Sequence, residues 1–329
     1  MSSPLVTVII PTHRRPDSLA RVLAAFDLQT VCPDSYEVIV VCDGTNDPAL
    51  AWLGRRQGNS FPLRVLTQRQ SGPAAARNLG LSAASGEYVV FVDDDVVPPP
   101  EFLERHLAAH QSDDRLAVIG PLINSDESPE PWIRWESETL RRQYAAVSAG
   151  KWSATWRQFH TGNASIRTGV LRSAGGFDVR FRRAEDIELG LRLSQAGVRF
   201  ALVPGAAARH LAKRSFTSWI GIGLAYGKAD VAIDALHPGA GILEQSYMEL
   251  AKRHHWTRRL VQIGVRHRWI VPGVNKVAMV GAIVSTGLGI KSLSLAVCSA
   301  VFNLAYWCGF SDAQGAAEPT LAPLAQRKL

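Results

Sequence analysis

Cysteine is scarce in this chain, and the few cysteines form no metal-binding pattern. Four occur among 329 residues, at Cys32, Cys42, Cys298 and Cys308, without the spacing that is typical of zinc ligands. Cys42 ends an apolar run, and the last two lie in an apolar segment. We therefore expect small buried hydrophobic side chains in a reducing cytosol. No charged leader or cleavage site precedes the first strand-like segment, so we expect no export signal.

Glycine is absent from the first loop of the chain. The segment IIPTHRRPDS (residues 9–18) contains none, whereas a nucleotidyltransferase with a similar sheet would place a glycine-rich phosphate loop here. This absence disfavours that enzyme class. Motifs for binding RNA or DNA are also missing, so we expect no nucleic acid partner. The net charge of +7 still favours an anionic partner, such as a nucleotide, a phosphate-bearing acceptor or an anionic membrane.

The first 215 residues alternate between strand-like and helix-like segments. The strand-like segments are 5–10, 36–44, 61–66, 87–95 and 198–204, and the helix-like segments are 15–26, 72–86, 100–110 and 184–197. Leu19, Val22, Leu23 and Phe26, for example, repeat at helical spacing. This alternation predicts an α/β fold with a mixed, mostly parallel sheet and flanking helices.

Polar side chains follow three of the predicted strands at their carboxyl ends. Thr12, His13 and Arg14 follow the first strand, Asp43 follows the second, and three aspartates at 93–95 follow the fourth. Ligands of such sheets bind beyond the carboxyl ends of the strands. The convergence therefore predicts a binding site at this edge.

The three aspartates favour a divalent cation. Alternate side chains of an extended segment share a face, so Asp93 and Asp95 can converge while Asp94 points elsewhere. Carboxylate oxygens suit Mg²⁺ or Mn²⁺, especially where substrate phosphates complete the coordination. A solvated acidic turn is the alternative interpretation of this motif taken alone.

The ordered motifs of the chain resemble those of glycosyltransferase family 2. They are VTVIIPTHRRP (6–16), EVIVVCDG (37–44), GPAAARNLG (72–80), GEYVVFVDDD (86–95) and GGFDVRFRRAEDIELGLRLSQAG (175–197). The resemblance covers about residues 4–215 and implies the GT-A fold, a Rossmann-like sheet that binds a nucleotide sugar. It implies a catalytic domain at 1–215, with a donor half at 1–120 and an acceptor half at 121–215.

The resemblance also assigns donor-binding roles by motif. Pro11, Thr12 and Arg14 would border the nucleotide, and Asp43 would accept a hydrogen bond from the base. The other expected donor-binding residues are Arg77 and Asn78 beside the nucleotide and its diphosphate, Asp93 at the ribose or sugar, Asp94 next to it, and Lys213 and Arg214 near the departing diphosphate. His13 and Arg15 are assigned no role.

The catalytic and metal-binding residues follow from the same resemblance. Asp186, at the start of a predicted helix, would be the base that deprotonates the acceptor hydroxyl, and the helix N-terminus would favour its ionised form. Glu185 is the alternative base or a sugar ligand, and we expect Glu188 to face outward. Asp95 and His210 would bind Mn²⁺ or Mg²⁺. No second carboxylate is placed as a nucleophile, so the expected reaction inverts the anomeric centre.

Two further regions differ from the alternating pattern. Residues 121–160 carry four tryptophans (Trp132, Trp135, Trp152 and Trp156) and predict an insertion or lid, in which the rings are packing anchors or ligand platforms. Residues 216–310 predict a helical, basic and apolar region, with largely apolar stretches at 277–290 and 292–310. An interfacial hairpin on an anionic membrane, packed helices of a soluble subdomain, or a true span would each fit. Residues 311–329 predict a flexible tail.

These features together predict a metal-dependent inverting glycosyltransferase that uses a UDP- or dTDP-sugar. The expected acceptor is a carbohydrate or a lipid-linked saccharide, in polysaccharide or glycolipid synthesis. The expected location is cytoplasmic, peripheral on the inner face of the cell membrane. A non-catalytic module that binds a nucleotide sugar or a membrane is the alternative.

Overall fold

The computed structural model describes residues 3–56, 58–111, 113–124 and 128–315. These residues form two compact units. The first contains the described residues up to 124 together with 137–212, and the second contains 128–136 together with 213–315.

The strands all lie in the first unit. They are β1 (Val6–Thr12), β2 (Tyr36–Asp43), β3 (Leu63–Gln68), β4 (Tyr88–Val92), β5 (Val96–Val97), β6 (Leu116–Ile119), β7 (Leu122–Asn124), β8 (Asn163–Arg167), β9 (Arg199–Leu202) and β10 (Ala208–His210). The helices of this unit are α1 (Pro16–Phe26), α2 (Pro48–Leu53), α3 (Pro73–Ala83), α4 (Phe102–His110), most of α5 (Pro131–Ser148), α6 (Thr168–Ser173) and α7 (Glu185–Gln195).

The main sheet has seven strands in the order β3-β2-β1-β4-β8-β6-β9. All neighbours are parallel except β8, which runs antiparallel to both β4 and β6. A smaller sheet has the order β5-β10-β7. The predicted α/β fold with a mixed, mostly parallel sheet is confirmed.

Helices cover both faces of the main sheet because its central strands are apolar throughout. Val8 and Ile10 of β1 belong to one apolar cluster with Leu23 of α1, and the intervening Ile9 belongs to a second cluster with Leu189 of α7. This arrangement leaves the strand ends as the place where polar side chains gather. Of the four cysteines, three are buried as expected, but Cys32 is exposed because it lies in the loop before β2.

The second unit is helical, as predicted for the C-terminal region. Its helices are α8 (Phe216–Leu236), α9 (Ile242–Ala251), α10 (His255–Arg266), α11 (Val271–Gly287) and α12 (Lys291–Ala313). Two glycines allow α8 and α12 to touch: a Cβ on Gly227 would lie 1.9 Å from the carbonyl oxygen of Tyr306, and one on Gly309 would lie 1.9 Å from that of Leu224. Helix α12 continues to Ala313, into the segment expected to be a tail; residues 316–329 lie outside the described chain.

The tryptophans of the 121–160 region have different surroundings. Trp132 packs edge-on against Phe216, and Trp135 packs against Trp219, with ring centroids 5.4 Å apart in both pairs. These two are packing anchors, since they belong to the aromatic core of the second unit. Trp152, in contrast, is 56% exposed.

Candidate active site

The loop after β1 is held against the loop after β2. Arg14 has a left-handed backbone (φ 57°), and its amide N–H donates to Asp47 Oδ2 at 2.6 Å. The Nδ1 atom of His13 lies 2.7 Å from the carbonyl oxygen of Asp43. These contacts hold the backbone next to the strand end while the Arg14 side chain stays exposed. The donor-binding roles of Pro11, Thr12 and Arg14 stay predictions.

Asp43 organises the loop that precedes α3. Its buried carboxylate accepts hydrogen bonds from Gln68 Nε2 at 2.7 Å and from the amides of Ser71 and Gly72 at 2.7 and 2.9 Å. Three donors therefore fix this acidic side chain beside the loop at 68–72. Its contact with a nucleotide base stays a prediction.

The three aspartates after β4 differ in burial and in their hydrogen-bond partners. Asp94 is buried and accepts a hydrogen bond from Thr12 Oγ1 at 2.7 Å. Burial raises the pKa of Asp94 to about 6, although Arg15 and Thr12 oppose the shift. Asp93 bonds to Arg77, while Asp95 bonds to Arg15. Arg15 also bonds to Asp94 at 3.2 Å, so Asp94 and Asp95 share a partner while Asp93 has a different one. The expected convergence of Asp93 and Asp95, with Asp94 pointing elsewhere, is not seen in these contacts.

Asp95 and His210 lie together, as two potential metal ligands should. His210 Nε2 is 3.6 Å from Asp95 Oδ1, because β10 pairs with β5 immediately after the aspartates. Among the described residues, no group of three His, Cys, Asp or Glu side chains is arranged to hold a metal. One carboxylate and one imidazole still fit a Mn²⁺ or Mg²⁺ ion whose remaining ligands come from a diphosphate.

Arg77 joins the donor side of the site to the predicted base. Its guanidinium, 5% exposed, lies 2.7 Å from Asp93 Oδ1 and 2.6 Å from Glu185 Oε1. Helix α3 carries Arg77 and helix α7 carries Glu185, so two segments 108 residues apart in the chain meet here. The two carboxylates raise the pKa of Arg77 against the opposing effect of burial, so the guanidinium stays charged.

Asp186 begins α7 next to Glu185. Its carboxylate accepts hydrogen bonds from its neighbour's amide, Ile187 N, at 2.9 Å and from Thr161 N at 3.4 Å. Burial, followed by the charge of Glu185, raises the pKa of Asp186 to about 7. The backbone amides lower this pKa, as expected of a helix start that favours the ionised form, but desolvation outweighs them.

Glu188 and Asn78 are both held by hydrogen bonds to neighbouring residues. Glu188 does not face outward: it is 2% exposed and bonds with both carboxylate oxygens to Arg192, one turn later on α7, at 2.7 Å. The side-chain amide of Asn78 donates to the carbonyl oxygen of Phe177 and accepts from the amide N–H of Phe177, both at 2.8 Å. Asn78 thus ties α3 to the segment before α7, and its contact with a diphosphate stays a prediction.

Lys213 and Arg214 belong to the second unit. There Arg214 pairs with Glu136 at 3.2 Å, and its carbonyl oxygen accepts from the indole N–H of Trp132 at 2.8 Å. Their role at a departing diphosphate stays a prediction.

Sequence reasoning missed two side chains of the first unit. Arg15, which was assigned no role, lies 2.7 Å from Asp95 Oδ2 and 3.2 Å from Asp94 Oδ1. The positive charge of its guanidinium therefore lies at the acidic strand end. Thr161 is 1% exposed, and its hydroxyl has no hydrogen-bond partner among the described residues, next to the carboxylate of Asp186. The position of Arg15 in the polar loop that follows β1 was a usable signal, although the sequence does not show which residues it contacts, and Thr161 carried no signal.

Comparisons with known proteins identify the family of the chain. The family model described as Glycosyl transferase family 2 matches residues 7–174. A pre-mycofactocin glycosyltransferase of Mycobacterium tuberculosis is 30% identical over 241 residues, which cover 71% of this chain and 48% of that protein. A chondroitin synthase of Escherichia coli is 30% identical over 237 residues, 62% of this chain and 34% of that protein. The chain thus spans about half, or less, of these curated relatives.

A solved structure shows the same fold. It is that of the mannosyltransferase PcManGT from Pyrobaculum calidifontis in complex with GDP-mannose and Mn²⁺, with a TM-score of 0.64 and 19% identity. The likeness covers 97% of this chain and 89% of that one.

Proposed function

Because the chain belongs to glycosyl transferase family 2, we propose that it transfers a sugar from a UDP- or dTDP-sugar to an acceptor hydroxyl. The acceptor is a carbohydrate or a lipid-linked saccharide, and the product belongs to a polysaccharide or a glycolipid. The observation that carries this proposal is the ionic chain from Asp93 through Arg77 to Glu185 and its neighbour Asp186. It couples the donor-side carboxylate to a candidate base within one compact unit.

Asp186 acts in this proposal as the general base. The backbone amides of Thr161 and Ile187 orient its carboxylate, and its pKa of about 7 suits a group that must take a proton at neutral pH. The acceptor oxygen attacks the anomeric carbon as its proton passes to Asp186. Attack from the face opposite the diphosphate inverts the anomeric centre.

Asp95 and His210 would hold the divalent cation, with Arg15 beside them. When bound, the cation neutralises negative charge on the departing diphosphate. Asp94 and Thr12 keep the strand end in place through their mutual hydrogen bond. The related chondroitin synthase and the Mn²⁺-bound mannosyltransferase structure support the acceptor class and the cation class, respectively.

The enzyme works, in this proposal, at the inner face of the cell membrane. Two helical segments, Arg268–Gly287 and Lys291–Ala313, are long and apolar enough to cross a membrane by length and composition alone. A peripheral location would bring the site to acceptors that are attached to lipid.

The test is donor turnover by the whole chain. UDP-, dTDP- and GDP-sugars are incubated with Mn²⁺, Mg²⁺ or chelator, and released nucleotide is measured with and without saccharide acceptors. We expect metal-dependent release from one donor, abolished by Asp95→Asn and by Asp186→Asn but unchanged in Asp34→Asn, which alters an exposed residue far along the chain from both. Proton NMR of the product then gives the anomeric configuration.

Two outcomes would contradict the proposal. Full turnover by Asp186→Asn would remove Asp186 as the base, and retention of configuration would remove the single-displacement step. Calorimetric binding of the donor without turnover under any condition would favour a binding module instead.

A further inference from the structure

Helix α11 and the turn after it expose an apolar surface. Val277, Val280 and Val284 recur along one side of the helix with exposed fractions of 74%, 55% and 52%. The turn adds Leu288 and Ile290, which are 70% and 46% exposed. Only two of the 20 residues of Arg268–Gly287, Ala282 and Ser285, are buried. Isolated exposed hydrophobic residues are ordinary, but a contiguous set of this kind marks an interaction site.

Helix α12 behaves differently, although it is similarly apolar. Ten of the 23 residues of Lys291–Ala313 are buried, and Leu304, Trp307 and Phe310 belong to the core of the second unit. Small polar side chains join α12 to α11: the Ser294 hydroxyl lies 2.8 Å from that of Thr286 and donates to the carbonyl of Ala282. Helix α12 is therefore a structural helix that presents α11 on the surface.

The same region is strongly basic. From residue 252 to residue 311 the sequence has eight Lys or Arg residues and no Asp or Glu. Arg258, Arg259 and Arg266 of α10 are exposed, as are Lys276 on α11 and Lys291 at the start of α12. Some cations of the region are paired locally, since Arg268 lies 2.6 Å from Asp312.

Exposed apolar side chains also occur among these cations. On α10, Trp256 is 64% exposed and Ile263 is 51% exposed, and the guanidinium of Arg259 lies over the Trp256 ring. Trp269, between α10 and α11, is 81% exposed. Tryptophan together with Lys and Arg is the composition of segments that lie in a membrane interface.

We propose that this α10–α11 surface (residues 255–293) docks on an anionic lipid bilayer, with the outer side of α11 and the following turn in the interface. The cations of α10 and the two lysines would contact lipid phosphates. The inference rests on the membrane location proposed above and deepens it, by naming the docking surface and the lipid class that it recognises.

Two arguments favour this occupant. A second copy of the chain, packed on the same surface, would bring identical sets of cations together, which opposes association. A transmembrane α11 would place Lys276, at the middle of the segment, deep in hydrocarbon at high cost. Lying in the interface, the same lysine reaches the headgroups.

The experiment is cosedimentation of the full chain with unilamellar vesicles. One set is pure phosphatidylcholine, and the other is an equimolar mixture of phosphatidylcholine and phosphatidylglycerol. We expect binding to the anionic vesicles only, weakened by added salt, and about fivefold weaker for each cation that is removed by Arg258→Gln or Arg259→Gln. Extraction by high salt or carbonate separates a docked protein from a membrane-spanning one.

Paired variants test the apolar face. Val277→Glu and Val284→Glu should abolish sedimentation, whereas Val179→Glu, at a valine that is 56% exposed in the first unit, should not. Circular dichroism and melting temperatures check that all three are folded. Donor turnover with a soluble acceptor should be unchanged, so loss of docking and failure of the transferase proposal give different results.

Several results would overturn the inference. They are equal binding to both vesicle types, wild-type binding by both α11 variants, and resistance to salt and carbonate extraction. If light scattering shows that the wild-type chain is a dimer and that Val277→Glu is a monomer, the occupant of the surface is a second copy of the chain instead.

Discussion

Replacing Arg77 by Met removes the positive charge that lies between the carboxylates of Asp93 and Glu185. The guanidinium is buried and lies 2.6 Å from Glu185 and 2.7 Å from Asp93. Asp93 is 38% exposed and can be solvated after the change, but Glu185 is only 9% exposed and keeps an uncompensated charge. Breaking a buried ion pair in this way costs about 3–5 kcal/mol of unfolding free energy.

The same substitution should alter the acid–base chemistry of the site. The charge of Arg77 lowers the pKa of Asp186, so its loss should raise that pKa above about 7 and move the acid limb of the pH–activity profile to higher pH. Urea denaturation gives the stability change, and kcat/KM against pH gives the limb. Arg64→Met is the matched control: Arg64 is 45% exposed and pairs with Glu37 at 3.5 Å, so it should cost only about 0–1 kcal/mol.

The reasoning about Arg77 would be refuted by either of two results. One is a destabilisation by Arg77→Met no larger than that of Arg64→Met. The other is an acid limb at the wild-type position in a folded variant, since this would mean that Arg77 has no electrostatic effect on the base.

Three further predictions concern other parts of the molecule. In the wild type, kcat/KM should fall about tenfold for each pH unit below about 7, because protonated Asp186 cannot accept the acceptor proton; a profile that stays flat to pH 5 would exclude this base. Burial lowers the pKa of His106 to about 4, so the unfolded chain takes up a proton near pH 6.5 and the folded one does not. His106 should therefore contribute a loss of about 3 kcal/mol of stability as pH falls from 6.5 to 4. Urea titrations should show a smaller decline in His106→Gln, with an unchanged decline as the contrary result. Gly227→Ala should lower the melting temperature sharply, because the added methyl group would collide with the Tyr306 carbonyl. Gly221→Ala, on the same helix, has open space around the added methyl group and should leave the melting temperature unchanged. Similar melting temperatures of the two variants would count against the close contact.

Elements such as β1, β2, β4 and α7 could be predicted from the sequence because their signals are local, whereas the short strands β6 and β8 of the same sheet were not predicted. Strands end within a few residues of the apolar runs, and α7 starts at Glu185, immediately beside the predicted position. The position of Asp95 at a strand end and of Asp186 at a helix start followed from the same local patterns. The length and apolarity of α11 and α12 were visible in the same way.

The electrostatic state of the site depends on contacts between distant segments, which local patterns do not contain. Arg15 reaches Asp95 across 80 positions, and burial among several elements, rather than the helix start, sets the pKa of Asp186. Glu188 lies within α7, yet its inward orientation depends on the packing of that helix. The sequence by itself determined the alternation of the longer elements and which polar residues follow β1, β2 and β4, since periodicity and turns act over a few residues. Only the tertiary structure decided which charges meet and which apolar faces stay exposed, because both depend on how the elements pack.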